Sequence, residues 1–169
     1  MRADIIKHAM QYGLYLGLIL GAKFFLAMTQ SAFLSFFAMI MWLAIPFFIY
    51  LIVKKYRDEQ LGGFISFHEG WSLSFWIIFF GGMILEVIQF VYFQFINTTY
   101  LPDILQQTTQ MMDKMNLSMP HQNLDIMEKI MTHPNLYVLT DFIMYTLISG
   151  AILSLIIAAF VKRKANPYQ

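Results

Sequence analysis

Four long apolar blocks constrain the fold of this chain more than any other feature. A helix needs about 20 mainly apolar residues, at roughly 1.5 Å each, to cross a bilayer. Charged residues make up only 12% of the 169 residues, against about 25% in soluble proteins. The sequence predicts one all-α integral membrane domain over residues 1–169, a four-helix bundle. Its predicted spans are residues 9–29, 32–53, 71–97 and 136–161.

The distribution of basic residues predicts how the chain is threaded. Eight of the eleven Lys and Arg residues lie near the N-terminus, in the loop 54–70 or in the C-terminal tail. Basic residues accumulate on the cytoplasmic side of membrane proteins. We therefore expect both termini and loop 54–70 to be cytoplasmic, and residues 98–135 to form an extracytoplasmic loop. No cleavage signal follows the first block, so we expect a retained span rather than a signal peptide.

The long outer loop carries two amphipathic segments. In LPDILQQTTQMMDKM and NLDIMEKIM the apolar residues recur at helical spacing. Pro102 suits the start of the first helix, and residues 118–120 interrupt the pattern. The loop is therefore predicted to fold as an amphipathic helical hairpin between spans three and four.

Three ionisable residues lie inside the predicted spans: Lys23, Glu86 and Asp141. Charges at such positions are rare and are functional candidates by default. Counted from the outer ends of the spans, Lys23 and Asp141 lie about 9 Å deep and Glu86 about 16 Å deep. We expect Lys23 and Asp141 to share a level and to form an ion pair, with Glu86 deeper and Gln89 one turn away on the same helix face.

This intramembrane polar set has two interpretations. In the first, it lines a polar pocket in which Glu86 binds a proton or a cation. In the second, it is a structural clasp, or Lys23 extends its ammonium group to the outer interface. The residues alone favour the structural interpretation.

Gly13, Gly17 and Gly21 recur at every fourth position of the first span. Small residues at this spacing let another helix approach closely. We predict a helix-packing face, used within the bundle or, alternatively, by a second copy or another membrane protein.

Chemistry beyond the polar set has little support in the sequence. Thioethers and imidazole can bind Cu(I), so Met111, Met115, Met119 and His121 form a weak metal candidate. Methionines at this spacing also fill helix faces, and we predict no cofactor. With no cysteine, no nucleophile motif and no phosphate-binding glycine loop, we do not expect an enzyme. No basic face for nucleic acid appears either.

The order of features resembles an uncharacterised family of small four-helix bacterial membrane proteins. The resemblance is carried by YGLYLGL, GGFISFHEGWSLSF, MEKIMTHPN and SGAILSLIIAAFVKRK, which together cover essentially the whole chain. The family carries a domain-of-unknown-function label of the forty-one-hundreds series. The resemblance implies a bacterial inner-membrane location and a setting in envelope glycan or lipid-linked sugar metabolism. It implies no functional residues.

Together these features predict a non-enzymatic accessory or scaffold protein that works with a membrane or periplasmic protein partner. The alternative is a small transporter or flippase that uses the polar set. Transport would favour a homo-oligomer, because four helices alone rarely enclose a wide path. In both cases we expect the protein to be embedded in the lipid bilayer and to contact its lipids.

Overall fold

The computed structural model describes residues 3–29, 31–115 and 120–163, and for residues 3, 32, 35 and 121 only the backbone. These parts of the chain form helices and no β-strand, which confirms the all-α prediction. Four helical runs are long and apolar enough to cross a membrane. They are Asp4–Met28, Phe36–Gln60, Phe67–Ile96 and Pro134–Val161.

Seven α-helices and two π-helical segments follow one another along the described chain. The α-helices are α1 (Ala3–Met28), α2 (Ala32–Gln60), α3 (Phe67–Val91), α4 (Tyr100–Lys114), α5 (His121–Thr132), α6 (Pro134–Asp141) and α7 (Gly150–Val161). The segment π1 (Tyr92–Ile96) continues α3, and π2 (Phe142–Ser149) joins α6 to α7. The third and fourth apolar blocks thus each contain a π-helical stretch.

Two helices, α2 at its end and α3 at its start, extend beyond the predicted spans. Residues 54–60, assigned to the loop in the sequence, continue α2, because the face that includes Tyr56 and Arg57 is buried. At the start of α3, Ser66 Oγ donates to Glu69 Oε2 at 2.8 Å, and the Glu69 amide donates back to Ser66 Oγ. This is a capping box, which satisfies amides that have no partner within the helix.

The chain divides into two compact units. The first unit contains the described residues up to Leu85 and from Tyr145 onward, and the second unit runs from Glu86 to Met144. In the first unit an apolar core includes Ala9, Leu16 and Ile77.

Glycines set the distance between α1 and α3 in the first unit. A Cβ added at Gly13 would lie 2.6 Å from Phe80 Cβ, and one added at Gly17 would lie 2.7 Å from Ile84 Cβ. Both distances are shorter than van der Waals contact. Because the contacts advance along both helices together, α1 and α3 run parallel. Gly13 and Gly17 thus contact α3, a helix of the same chain.

The helix that ends the first unit packs antiparallel to α3 in the same close manner. A Cβ at Gly150 would lie 2.8 Å from Ile78 Cγ2, and one at Gly82 would overlap Thr146. Gly70 approaches the Ala158 backbone at an ordinary contact distance. As the residue number rises on α3 it falls on the partner by the same amount, so one register holds along this contact.

The second unit includes three α-helices outside α3. In it, α5 contacts both α4 and α6. Pro134 occupies the first turn of α6, where its missing amide costs nothing. The two amphipathic segments of the sequence are thus helical, and they contact each other.

Leucine in place of Gly17 is expected to destabilise the first unit. The new side chain must displace Ile84, and overpacking of this kind costs about 1–3 kcal/mol. Ala22→Leu is the matched control, because Ala22 is exposed on the same helix. Thermal unfolding in detergent measures both variants. Equal melting temperatures for the two would contradict the close α1–α3 contact.

Candidate functional site

Two buried polar side chains lie one turn apart on α3 in the second unit. Glu86 is 6% exposed and Gln89 is 8% exposed. Neither oxygen of the Glu86 carboxyl, nor the Gln89 Oε1, accepts a hydrogen bond within the described part of the chain. Burying such a group without a partner costs free energy. Their positions in a membrane-spanning helix make them functional candidates.

A second carboxyl group lies beside Glu86. Asp141, the last residue of α6, is close enough for its carboxyl to interact electrostatically with that of Glu86. Two adjacent carboxyls repel each other when both are ionised. We therefore expect the two carboxyls to titrate as a coupled pair.

The predicted depths stay a prediction. Counting residues placed Glu86 about 7 Å deeper than Asp141 when every residue was given the α-helical rise. The count from Asn97 to Glu86 crosses π1, and a π-helix has i→i+5 hydrogen bonds and more residues per turn than an α-helix. The rise per residue is therefore not uniform along this span, and the two carboxyls lie within electrostatic reach of each other.

An aromatic cluster continues the same face of the third span. Phe93 is 2% exposed. Its ring stacks on Tyr100 of α4, with centroids 5.6 Å apart, and meets the Tyr137 ring of α6 edge-on at 5.4 Å. Aromatic pairs in these geometries are stabilising beyond the area they bury. Phe93 thus joins α4 and α6 to the end of the third span.

Tyr100 begins α4, outside the candidate spans. Burial raises the pKa of its phenol above the ordinary value, and the nearby Tyr92 phenol adds to the shift. Tyr100 is therefore neutral at physiological pH, which suits a ring that stacks on Phe93.

Both π-helical segments lie close to the site. The segment π2 begins at Phe142, directly after Asp141, and π1 contains Phe93. Irregular turns of this type frequently accompany functional sites. Here π1 contains Phe93, whose ring contacts Tyr100 and Tyr137, and π2 begins at the residue after Asp141.

The other predicted residues have the following places. Lys23 is half-buried in α1 of the first unit, and its predicted ion pair with Asp141 stays a prediction. Gly21 is buried in the same helix. Of the methionine and histidine candidate, Met111 and Met115 are exposed, Met119 lies outside the described residues, and His121 begins α5.

The sequence contained signals for two features that were not predicted. Phe93 follows Glu86 and Gln89 at positions i+7 and i+4, so the polar face continues into an aromatic one. The S-x-x-E spacing of Ser66 and Glu69 is the signature of a capping box. The contacts of Phe93 with Tyr100 and Tyr137 could not be read from spacing, because they join distant segments.

A comparison with protein families identifies the family of this chain. A family model described as "Protein of unknown function (DUF4199)" matches residues 11–163. The chain belongs to the DUF4199 family. This confirms the resemblance to a family of unknown function, and the match includes every residue of the carboxyl and aromatic groups described above. No curated protein and no solved structure matches the chain.

Alanine in place of Phe93 is expected to loosen the second unit. Loss of a buried phenylalanine costs about 3–5 kcal/mol, and both ring contacts disappear with it. Phe95→Ala is the matched control in the same π-helical segment, because Phe95 is 72% exposed. Amide hydrogen exchange across α4 is expected to accelerate in Phe93→Ala. Equal protection of α4 in both variants would contradict the anchoring role of Phe93.

Proposed function

We propose that this protein is a multi-pass protein of the bacterial inner membrane, with both termini in the cytoplasm, and that it acts as a non-enzymatic accessory or scaffold protein. Its partner would be a membrane or periplasmic protein. The setting implied by the sequence resemblance is envelope glycan or lipid-linked sugar metabolism. Under this proposal α4 and α5 lie on the outer side and engage the partner.

The observation that carries this proposal is an open groove between α4 and α5. It has a volume of about 340 Å³ and lies outside the four candidate spans. Its walls are largely apolar, with Glu128 among the polar residues. The lining residues are Pro102, Leu105, Gln106, Thr109, Leu124, Met127 and Glu128.

The chemistry of the groove suggests the class of partner. Met111 and Ile126 are exposed on the same two helices, and Met115 is exposed directly after α4. Methionine adapts to the shape of a bound surface. Acidic residues outnumber lysines on α4 and α5. The two helices contain four acidic residues and two lysines, namely Asp103, Asp113, Asp125 and Glu128 against Lys114 and Lys129. A groove of this kind suits an apolar helix of another protein with basic flanking residues.

A photo-crosslinking amino acid tests the groove directly in cells. Gln106 lines the groove, and its neighbour Gln107 is exposed without lining it, so the two positions form a matched pair. We expect a discrete protein adduct from position 106 and none from position 107. The captured protein must then bind the purified full-length chain, and Leu105→Asp must weaken that binding. Equal adducts from both positions, or no binding between the purified proteins, would contradict the proposal.

The carboxyl pair supports a second candidate function, a small proton-coupled transporter or flippase. Glu86 is buried in a membrane-spanning helix without a hydrogen-bond donor in the described chain, and Asp141 lies beside it. A carboxyl pair that gains and loses a proton within a membrane can couple that proton to transport. Under this candidate the site moves a proton across the membrane, and the protein acts as a homo-oligomer.

Proton flux into proteoliposomes distinguishes the two functions. Glu86→Gln keeps the shape of the side chain and removes the titrating group, so we expect flux to be lost. Glu128→Gln is the control, because Glu128 is an exposed carboxylate of α5. A pH-sensitive dye inside the vesicles records the flux. Equal flux in wild type and Glu86→Gln, or wild-type flux no higher than that of empty vesicles, would contradict transport.

A further inference from the structure

The ends of α2 and α7 are fixed to each other in the first unit. Arg57 is 9% exposed. Its Nη1 donates to the Val161 carbonyl oxygen at 3.0 Å, and its Nε donates to Asp58 Oδ1 at 2.7 Å. Val161 is the last residue of α7, where helix carbonyls lack a partner within the helix. Arg57 therefore caps α7 from a different helix.

The loop between α2 and α3 fixes the segment that follows α7. Ile65 and Arg163 form a backbone bridge with two hydrogen bonds, of 3.1 and 3.0 Å. Gly62 and Gly63 have φ angles of 64° and 90°, which allow the chain to turn back there. The positions of Lys162 and Arg163 are thus set by backbone contacts that do not involve their side chains.

Cationic residues of α2 and of the segment that follows α7 lie at this point. We call it the basic end and define it by Lys54, Arg57, Lys162 and Arg163. The Asp58 carboxylate interacts with Arg57 and also lies within electrostatic reach of Lys54 and Arg163. Lys54, Lys162 and Arg163 are exposed. A carboxylate already hydrogen-bonded to Arg57 leaves an excess of positive charge at the basic end.

Exposed apolar side chains lie next to these cations along the chain. Phe160 is 74% exposed two residues before Lys162, and Leu51 is 44% exposed three residues before Lys54. Both belong to candidate membrane spans. Cations at the end of a span with exposed apolar side chains just inside it match the two parts of a phospholipid, the charged headgroup and the acyl chain.

We propose that the basic end binds an anionic phospholipid, with Lys54, Lys162 and Arg163 holding the headgroup phosphate and Phe160 contacting the acyl chain. The planar guanidinium of Arg163 can donate two parallel hydrogen bonds to phosphate. The flexible lysine stems let their ammonium groups reach the same anion. This inference does not depend on either function proposed above.

Lipid titration of the purified full-length protein tests the proposal. In an uncharged detergent, phosphatidylglycerol is expected to raise the melting temperature and to bind in native mass spectra, while phosphatidylcholine does neither. The double variant Lys162→Gln/Arg163→Gln is expected to bind phosphatidylglycerol about thirtyfold more weakly, because each of the two basic residues near a lipid surface contributes about 1 kcal/mol. The backbone bridge at Arg163 remains in this variant.

The controls separate a lipid site from general charge effects. Lys114→Gln/Lys129→Gln removes the same charge from exposed positions on α4 and α5 and should bind phosphatidylglycerol as wild type does. If the double variant at the basic end fails to fold, Lys54→Gln alone provides the same comparison. Equal binding of both lipids, equal weakening by the two double variants, or equal stabilisation by inorganic phosphate would overturn the proposal.

Discussion

The structure depends on the requirement that buried polar groups find partners without water. In an apolar surrounding the backbone satisfies itself only by forming helices, and the described chain is helical almost throughout. Two buried hydroxyl groups of the first unit follow the same rule, whereas the buried Ser72 Oγ has no partner in the described chain. Ser74 donates to the Gly70 carbonyl at 2.8 Å, and Ser154 donates to the Gly150 carbonyl at 2.7 Å. Glu86 and Gln89 of the second unit differ from Ser74 and Ser154, because they are also buried but both Glu86 carboxyl oxygens and the Gln89 Oε1 accept no hydrogen bond in the described chain.

The two units hold their helices together by different contacts. In the first unit, glycines bring α1 and the final helix close to α3, so dispersion contacts along the backbones replace bulky side chains. In the second unit, the carboxyls of Glu86 and Asp141 are neighbours, and an aromatic cluster around Phe93 contacts α4 and α6. The first unit is thus closely packed, and the second contains the candidate site.

The all-α fold could be predicted from the sequence because apolar blocks of spanning length allow no other architecture. Glu86 could also be predicted as a candidate, since a carboxyl inside such a block is conspicuous. Its neighbour Asp141 could not be placed beside it, because counting residues along two separate spans does not specify which helix faces meet. The glycine face was visible in the spacing of Gly13 and Gly17. Its partner α3 was not, because spacing does not specify which helix approaches.

The central claim of this account is that the carboxyls of Glu86 and Asp141 lie close enough to titrate as a coupled pair, whether the pair serves as a structural clasp or as a transport site. Infrared difference spectroscopy between acidic and alkaline pH measures this most directly, since a protonated carboxyl has its own C=O stretching band. We predict a carboxylic acid band that disappears in Glu86→Gln and shifts in Asp141→Asn. A spectrum in which neither substitution changes any carboxylic acid band would contradict the claim.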